Sequence, residues 1–185
     1  MDKSPTGRDT SVLFGDAAAS VIVEATTDAN SRIMDITLAS EGKNADKLIL
    51  AGPTPNEHPR ISSNTSTDKK TFPYMDGKFV FKHAIDRMCE SLTEIAKRNN
   101  VTLNDIDFVI PHQANKRIIQ MVLSQLQVPE SKTHYTLDRF GNTTSVTIPL
   151  TLHECFEQKK IKRGDLVALT AFGSGFTWGS ALVRY

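Results

Sequence analysis

Cysteine is scarce in this sequence, which has only Cys89 and Cys155 among 185 residues. Two cysteines do not make a disulfide framework, and so low a number is typical of proteins from a reducing compartment. No apolar run approaches the ~20 residues that a membrane-spanning helix requires. Residues 1–8 contain no apolar stretch of the kind found in secretory signals. We therefore expect a cytoplasmic protein that does not enter a membrane.

Net charge is also small, because 22 basic residues nearly balance 21 acidic residues and leave a formal charge of +1. This balance gives no whole-molecule field that favours nucleic acid or an anionic membrane, so we expect neither as a partner. A local basic patch would still bind an acidic protein. The five histidines show no spacing typical of a metal site, and we predict none. The length and the 39% of hydrophobic residues suit one domain, residues 1–185.

The apolar pattern predicts an α/β fold with a mixed sheet. The predicted strands are residues 12–14, 17–23, 32–38, 108–110, 166–172 and 176–183. We expect the first two to flank a tight turn at Gly15-Asp16 and the third to pair with them as a hairpin. Residues 52–77, which are rich in proline and polar residues, predict a long surface loop with short elements at most.

Three helices are predicted from apolar residues spaced three and four positions apart. Their apolar stripes are Phe81, Ile85, Met88, Leu92 and Ile95; then Ile118, Val122 and Leu126; then Val146, Leu150 and Phe156. We expect Asn142 to cap the third helix, because asparagine after glycine favours a turn and a helix start. Pro149 is expected to kink that helix.

Five segments, in order along nearly the whole chain, resemble the motifs of one enzyme family. They are residues 12–19 (VLFGDAAA), 75–82 (MDGKFVFK), 109–115 (VIPHQAN), 140–145 (FGNTTS) and 171–179 (AFGSGFTWG). Any one of them would arise by chance, but five in order make chance a poor explanation. The chain resembles the β-ketoacyl-acyl-carrier-protein synthase III family. The resemblance implies one αβα half of a five-layer thiolase-like fold, and this chain looks like the C-terminal half.

The resemblance also implies a reaction and two catalytic residues. Family members acylate a cysteine from acyl-CoA and then condense the acyl group with malonyl on acyl carrier protein, with loss of carbon dioxide. By resemblance, His112 and Asn142 stabilise the enolate that decarboxylation leaves. A neutral imidazole and a carboxamide suit this role, because both donate hydrogen bonds without changing protonation state. From the residues alone, His112 would be a structural loop histidine and Asn142 a turn residue.

A glycine-containing turn near the C-terminus is the second part of the implied site. By resemblance, an amide of Gly173, Ser174 or Gly175 helps to form the oxyanion hole of the acyl-enzyme, and Phe172 gates the cysteine. The alternatives are a simple hairpin turn and a core aromatic residue. Ser174 stands where the family usually has glycine, so we expect its side chain either to narrow the pocket or to restrict the backbone φ angle.

Basic residues near His112 suggest where a partner binds. Acyl carrier protein is acidic, and Lys82, Lys116 and Arg117 are expected to cluster at the helix starts around His112 and to contact it. Asn115 is expected either to orient the pantetheine arm or simply to start a helix. Surface basic residues are more often only solvated, so both interpretations stay open.

The nucleophilic cysteine of the family has no counterpart here. Cys89 and Cys155 fall inside predicted helices rather than at helix starts, and neither follows glycine or small residues, so both are interpreted as packing residues. We therefore expect the chain to be inactive alone, to need an N-terminal half, and to form a homo-oligomer, such as a dimer, through its exposed apolar face. Acyl-CoA and malonyl-acyl carrier protein are the expected substrates, with no cofactor. The alternative is a non-catalytic thiolase-fold subunit that binds carrier protein or a partner synthase half.

Overall fold

The computed structural model describes residues 7–54, 58–59 and 68–185. Helices cover both faces of a four-stranded mixed sheet, and a two-stranded sheet lies apart from it. The strands are β1 (Arg32–Ser40), β2 (Leu48–Ile49), β3 (Tyr74–Met75), β4 (Phe108–Pro111), β5 (Leu166–Gly173) and β6 (Thr177–Arg184). The helices are α1 (Arg8–Ser11), α2 (Gly77–Arg98), α3 (Lys116–Gln125), α4 (Leu137–Phe140) and α5 (Thr147–Glu157). The predicted α/β class is confirmed.

The order of strands in the main sheet is β1, β6, β5, β4, and only β4 and β5 run parallel. Every residue of β4 is buried, which explains its unbroken apolar sequence: a strand covered on both faces needs no polar alternation. Phe108 lies opposite Val167 and Pro111 opposite Thr170. Because the two strands are parallel, their carboxyl ends lie at the same sheet edge, and His112 follows directly there.

Two apolar clusters, one on each face of the sheet, form the core. Helices α2 and α3 supply Leu92, Ile95 and Ile119 to the larger cluster, and α5 packs Cys155 against Phe108 of β4 on the opposite face. The amphipathic helix predicted from Phe79 is confirmed and begins two residues earlier. Asp76 explains that start, because its side chain accepts a hydrogen bond from the Phe79 amide at 3.2 Å and so caps the helix.

The two strands predicted at residues 12–23 are absent. Phe14 forms only an isolated bridge with Asn142, and residues 15–28 adopt no regular structure. The side chains of Val21, Ile22 and Val23 are 67%, 91% and 75% exposed. No described strand runs beside them, and apolar residues form a strand only where a neighbour pairs with it. Strand β1 is confirmed, but it pairs antiparallel with β6 rather than in a hairpin with the preceding segment.

The predictions for the start of the third helix were also wrong. A short 3₁₀ turn, Thr144–Val146, intervenes, so α5 begins at Thr147. The Asn142 side chain accepts a hydrogen bond from the Thr144 amide at the start of that turn instead of capping the helix. Pro149 is the third residue of α5, where an amide has no intrahelical partner to lose, so it gives no reason for a kink.

The loop predicted at residues 52–77 falls partly outside the described residues, at positions 55–57 and 60–67. Its described part contains only short elements, a 3₁₀ turn at Lys69–Thr71 and strand β3, which agrees with the prediction.

Candidate active site

His112 is held from two sides at the edge where β4 and β5 end. Its backbone amide donates to the Thr170 carbonyl at 2.8 Å, which continues the pairing of the two strands by one residue. On the other side, its Nδ1 lies 2.6 Å from the Thr147 hydroxyl, at the first residue of α5. No described residue forms a hydrogen bond with Nε2. The ring therefore has one nitrogen fixed by the protein and one that can form a further hydrogen bond.

Burial lowers the pKa of His112 from its ordinary 6.5 to about 4. The imidazole is consequently neutral at physiological pH, with a proton on one nitrogen and a lone pair on the other. A neutral ring of this kind donates one hydrogen bond without bringing a positive charge into the site.

Asn142 is fixed by a contact between two of the glycine-containing motifs. Its backbone amide donates to the Leu13 carbonyl at 2.8 Å, and its carbonyl accepts from the Gly15 amide at 3.1 Å. Close approach requires glycine on both sides: a methyl group at Gly15 would overlap the Phe140 carbonyl oxygen, and Gly141 has φ +67°. The sequence did not predict this pairing, although glycine in both motifs was the available signal.

The side chain of Asn142 also has a defined orientation. Its Oδ1 accepts a hydrogen bond from the Thr144 amide at 2.9 Å. No described residue accepts a hydrogen bond from Nδ2, so the N–H₂ end is left to donate elsewhere. Only five positions separate Asn142 from Thr147, which contacts His112. The loop that carries Asn142 is thus joined to the His112 ring through the start of α5.

A buried polar network next to His112 was missed by the sequence reasoning. Gln113 is 0% exposed, and its amide nitrogen donates to the carbonyls of Pro111 and His134 at 3.1 and 3.3 Å. The Gln113 side-chain oxygen, Oε1, accepts a hydrogen bond from the Thr136 amide at 3.2 Å. The Thr136 hydroxyl in turn lies 2.9 Å from that of Thr151 in α5. These hydrogen bonds attach the loop after β4 to α5. The one signal in the sequence was a glutamine within the otherwise largely apolar 109–115 segment.

The turn between β5 and β6 joins the main sheet to strand β2. Gly173 pairs with Thr177, and Gly175 has φ +131°, a backbone conformation that favours glycine. Ser174 is exposed, and its hydroxyl donates to the Leu48 carbonyl at 2.6 Å. Ser174 does not have a positive φ, so the turn accommodates its side chain without the backbone strain that a positive φ would bring. Whether Ser174 narrows a pocket or restricts the turn remains a prediction.

Phe172 is a core residue, 6% exposed, whose ring meets that of Phe176 edge-on at 4.8 Å between centroids. The gating role of Phe172 and the oxyanion role of the turn remain predictions.

The basic residues expected to bind a carrier protein lie at the surface. Lys116 and Arg117 are exposed at the start of α3, and Lys82 is exposed on α2. Asn115 caps α3, since its side chain accepts from the Arg117 amide at 2.9 Å. The Lys116 ammonium also lies 5.2 Å from the centre of the Tyr135 ring. Their role in binding remains a prediction.

Both cysteines are buried away from helix starts, and burial raises the pKa of the Cys89 and Cys155 thiols to about 11. They stay protonated near neutral pH, so neither has the thiolate character of a nucleophile. In the ranges that the structure covers, no group of His, Cys, Asp and Glu is arranged to hold a metal ion. Within those same ranges, every helix is too short or too polar to cross a membrane.

Two family models match the chain. Residues 96–185 match the model described as 3-oxoacyl-(acyl-carrier-protein) synthase III C terminal, and residues 1–42 match the one described as 3-oxoacyl-(acyl-carrier-protein) synthase III. Together they include the segments that hold both His112 and Asn142 and the one that holds Gly15.

Curated relatives and solved structures agree with the family models. The β-ketoacyl-(acyl-carrier-protein) synthases III of Chlorobium chlorochromatii and Porphyromonas gingivalis are 39% and 43% identical over 97% of this chain. The chain covers 54% and 52% of them. The crystal structure of the Aquifex aeolicus 3-oxoacyl-(acyl-carrier-protein) synthase III superposes with a TM-score of 0.84 at 35% identity, over 96% of this chain and 52% of that one. The chain thus spans about half the length of the relatives it matches.

Proposed function

Because the chain belongs to the β-ketoacyl-(acyl-carrier-protein) synthase III family, we propose that it is the C-terminal catalytic half of an acyltransferase. The reaction is the decarboxylative Claisen condensation of acyl-CoA with malonyl-acyl carrier protein, which starts fatty-acid synthesis. One observation carries the proposal: the neutral ring of His112 contacts the start of α5, five residues after Asn142, and both side chains keep one hydrogen-bonding end unused.

In this proposal the two residues act on the malonyl thioester. Loss of carbon dioxide leaves the electron pair of the broken C–C bond as an enolate, whose negative charge lies on the thioester oxygen. Nε2–H of His112 and Nδ2–H of Asn142 donate hydrogen bonds to that oxygen. The enolate carbon then attacks the acyl-cysteine carbonyl, a C–C bond forms, and the cysteine leaves as a thiolate. Fixed donors in a site that excludes water stabilise such charge strongly.

The nucleophile in this scheme comes from an N-terminal half. Support comes from the two buried cysteines with raised pKa values and from the chain's coverage of about half of its relatives. This chain alone is then inactive. The turn of Gly173, Ser174 and Gly175, with Phe172 before it, would border the acyl-cysteine.

Carrier protein would approach the exposed basic side chains at the helix starts. Lys116 and Arg117 lie at the amino end of α3, four residues after His112, which suits an acidic partner that delivers its thioester to that ring. Lys82 would extend the same surface, and Asn115 would contact the pantetheine arm while it caps α3.

The exposed apolar side chains of Ile22 and Leu38, 91% and 84% exposed, support association with another protein surface. The N-terminal half is the proposed occupant, and a homodimer is the assembly expected around it.

The first test is intact-protein mass spectrometry of the chain after incubation with acetyl-CoA, alone and with the N-terminal half of the Porphyromonas gingivalis relative. We expect no adduct on this chain, an acyl adduct on the added half, and condensation when malonyl-acyl carrier protein is supplied. A stoichiometric adduct on Cys89 or Cys155 would contradict the proposal. Binding of carrier protein without condensation would favour the non-catalytic subunit instead.

Variants then assign the two residues. In the assembled enzyme, His112→Ala and Asn142→Ala should each lower the rate of malonyl decarboxylation on the order of 10²–10³-fold, while the cysteine is still acylated. His153→Ala is the matched control, because His153 is exposed on the same α5 helix that contacts His112. Equal rates for His112→Ala and His153→Ala would remove His112 from the mechanism.

A further inference from the structure

The Thr147 hydroxyl lies between two possible acceptors. It is 2.6 Å from Nδ1 of His112 and 3.0 Å from the carbonyl oxygen of Thr144, and the Thr147 side chain is 1% exposed. A hydroxyl has one proton, so it donates to one of these two acceptors at a time. The acceptor to which the Thr147 hydroxyl donates therefore determines which nitrogen of His112 carries the ring proton.

The two arrangements have opposite consequences for the exposed end of the ring. If Thr147 donates to Nδ1, the proton of the neutral ring is on Nε2, which can then donate to a bound oxygen. If Thr147 donates to the Thr144 carbonyl, Nδ1–H donates to the Thr147 oxygen and Nε2 presents a lone pair. Only the first arrangement gives His112 a donor toward an anion.

The hydrogen bonds around Thr144 favour the first arrangement. The Thr144 carbonyl already accepts the backbone amide of Thr147, so it is satisfied without the hydroxyl. Nδ1 of His112, by contrast, has the Thr147 hydroxyl as its one partner among the described residues, at the shorter of the two distances. A buried nitrogen left without a partner destabilises the fold more than a carbonyl that loses one of two donors.

Thr147 is itself held in position by residues of the next turn of α5 and of the segment before α4. The Thr151 hydroxyl donates to the Thr147 carbonyl at 2.7 Å, and the Thr136 hydroxyl lies 2.9 Å from that of Thr151. All three threonines are buried. The first turn of α5 is consequently attached to Thr136, in the segment before α4. This attachment keeps the Thr147 hydroxyl next to the His112 ring.

We propose that Thr147 is a positioning residue that holds the His112 imidazole in the tautomer with its proton on Nε2. The catalytic consequence rests on the proposed function, because the Nε2 proton matters only if an anionic oxygen binds there. The tautomer itself is a property of this chain and is measured without substrate or partner.

The first experiment is ¹⁵N NMR of the histidine rings in the full 185-residue chain at neutral pH. Loss of signals in His112→Gln assigns the His112 ring. We expect the wild-type spectrum to show an unprotonated Nδ1 and a protonated Nε2. A proton on Nδ1 in the wild-type protein overturns the proposal, whatever the behaviour of any variant.

Two substitutions separate the hydroxyl from the packing. Thr147→Val keeps the shape of the side chain and removes its donor, and Thr147→Ser keeps the donor. We expect Thr147→Val to shift the His112 ring toward Nδ1–H or to an exchange average, and Thr147→Ser to retain the wild-type tautomer. An unchanged tautomer in a folded Thr147→Val protein contradicts the role of the hydroxyl.

The rate measurement uses the chain assembled with an N-terminal half. Thr147→Val should lower decarboxylation by up to roughly 10²-fold, because it weakens the donor that His112→Ala removes entirely. Thr147→Ser should stay near the wild-type rate. A switched tautomer with an unchanged rate overturns the catalytic consequence. If the wild-type assembly does not condense at all, the proposed function fails, while the NMR result still decides the tautomer.

Discussion

Residues 12–23 and strand β5 have similar sequences and very different structures. Both contain short apolar runs rich in alanine and branched residues, and strands were predicted at residues 12–14, 17–23 and 166–172. Strand β5 pairs with β4 on one side and β6 on the other and is largely buried, whereas Val21, Ile22 and Val23 are exposed and unpaired with any described strand. The comparison teaches that side-chain type makes a strand possible, and a neighbouring strand decides whether it forms.

The largest expected effect tests this comparison directly by removing an aliphatic side chain from each region. Leu166→Ala in β5 should lower the free energy of unfolding by roughly 2–5 kcal/mol, because Leu166 is 1% exposed and its loss leaves a cavity. Ile22→Ala should change it by no more than about 0.5 kcal/mol. Urea denaturation followed by circular dichroism measures both. A large loss from Ile22→Ala would mean that residues 12–23 are packed in solution.

The pH dependence of stability tests the environment of His112, which directly follows β4. The pKa of His112 falls from 6.5 in the unfolded chain to about 4 on folding, so the unfolded state binds more protons between these values. The contribution is fully present above pH 6.5 and is lost as the pH falls toward about 4. We expect the wild-type protein to lose on the order of 2 kcal/mol more than His112→Gln across that window. Parallel losses in the two proteins would contradict a half-buried, neutral His112.

A methyl group at Gly15 should break the contact between residues 13–15 and the loop that carries Asn142. It would overlap the Phe140 carbonyl oxygen, so Gly15→Ala should displace the pairing of Leu13 and Gly15 with Asn142 and destabilise the protein by roughly 1–3 kcal/mol. Gly42→Ala is the control, since no atom lies within 4 Å of the position that the added Cβ would take. Thermal unfolding of the two variants gives the comparison, and equal midpoints would show that the contact is not maintained.

The smallest expected effect concerns the turn after β5. Ser174→Ala removes the hydrogen bond to the Leu48 carbonyl and should cost about 0.5–1.5 kcal/mol locally. Hydrogen exchange at strands β2 and β3 should therefore become faster, while Ser174→Thr, which keeps a hydroxyl, should leave it close to the wild-type rate. Unchanged exchange in Ser174→Ala would mean that the turn does not hold β2.

The elements that the sequence predicted well are those in which one period dominates. The stripe from Ile85 to Ile95 predicted α2, and the largely apolar run at residues 166–172 predicted strand β5, because these patterns match the burial that the fold provides. The start of α5 could not be predicted in the same way. A 3₁₀ turn of three residues separates Asn142 from α5. The backbone of Asn142 bonds to Leu13, far away in sequence, so no local apolar period marks where the helix begins.

The candidate site was predictable only in part for the same reason. His112 and Asn142 were identified through the family motifs, which record residue types in order. The contact between His112 and Thr147 joins positions 35 residues apart, and the buried links from Gln113 to Thr136 join positions 23 apart. No local pattern encodes such pairs, since they depend on how β4 and α5 meet across the sheet.

The bridge between Phe14 and Asn142 also bears on the order of events during folding. It connects positions 128 residues apart, and closing so long a loop is slow compared with forming α2 or the β5–β6 hairpin. The backbone of Asn142 reaches its final geometry only when the two ends of this loop meet. The local geometry of Asn142 therefore depends on a long-range contact, as does the pairing of β1 with β6, whose partners Arg32 and Arg184 lie even farther apart in sequence.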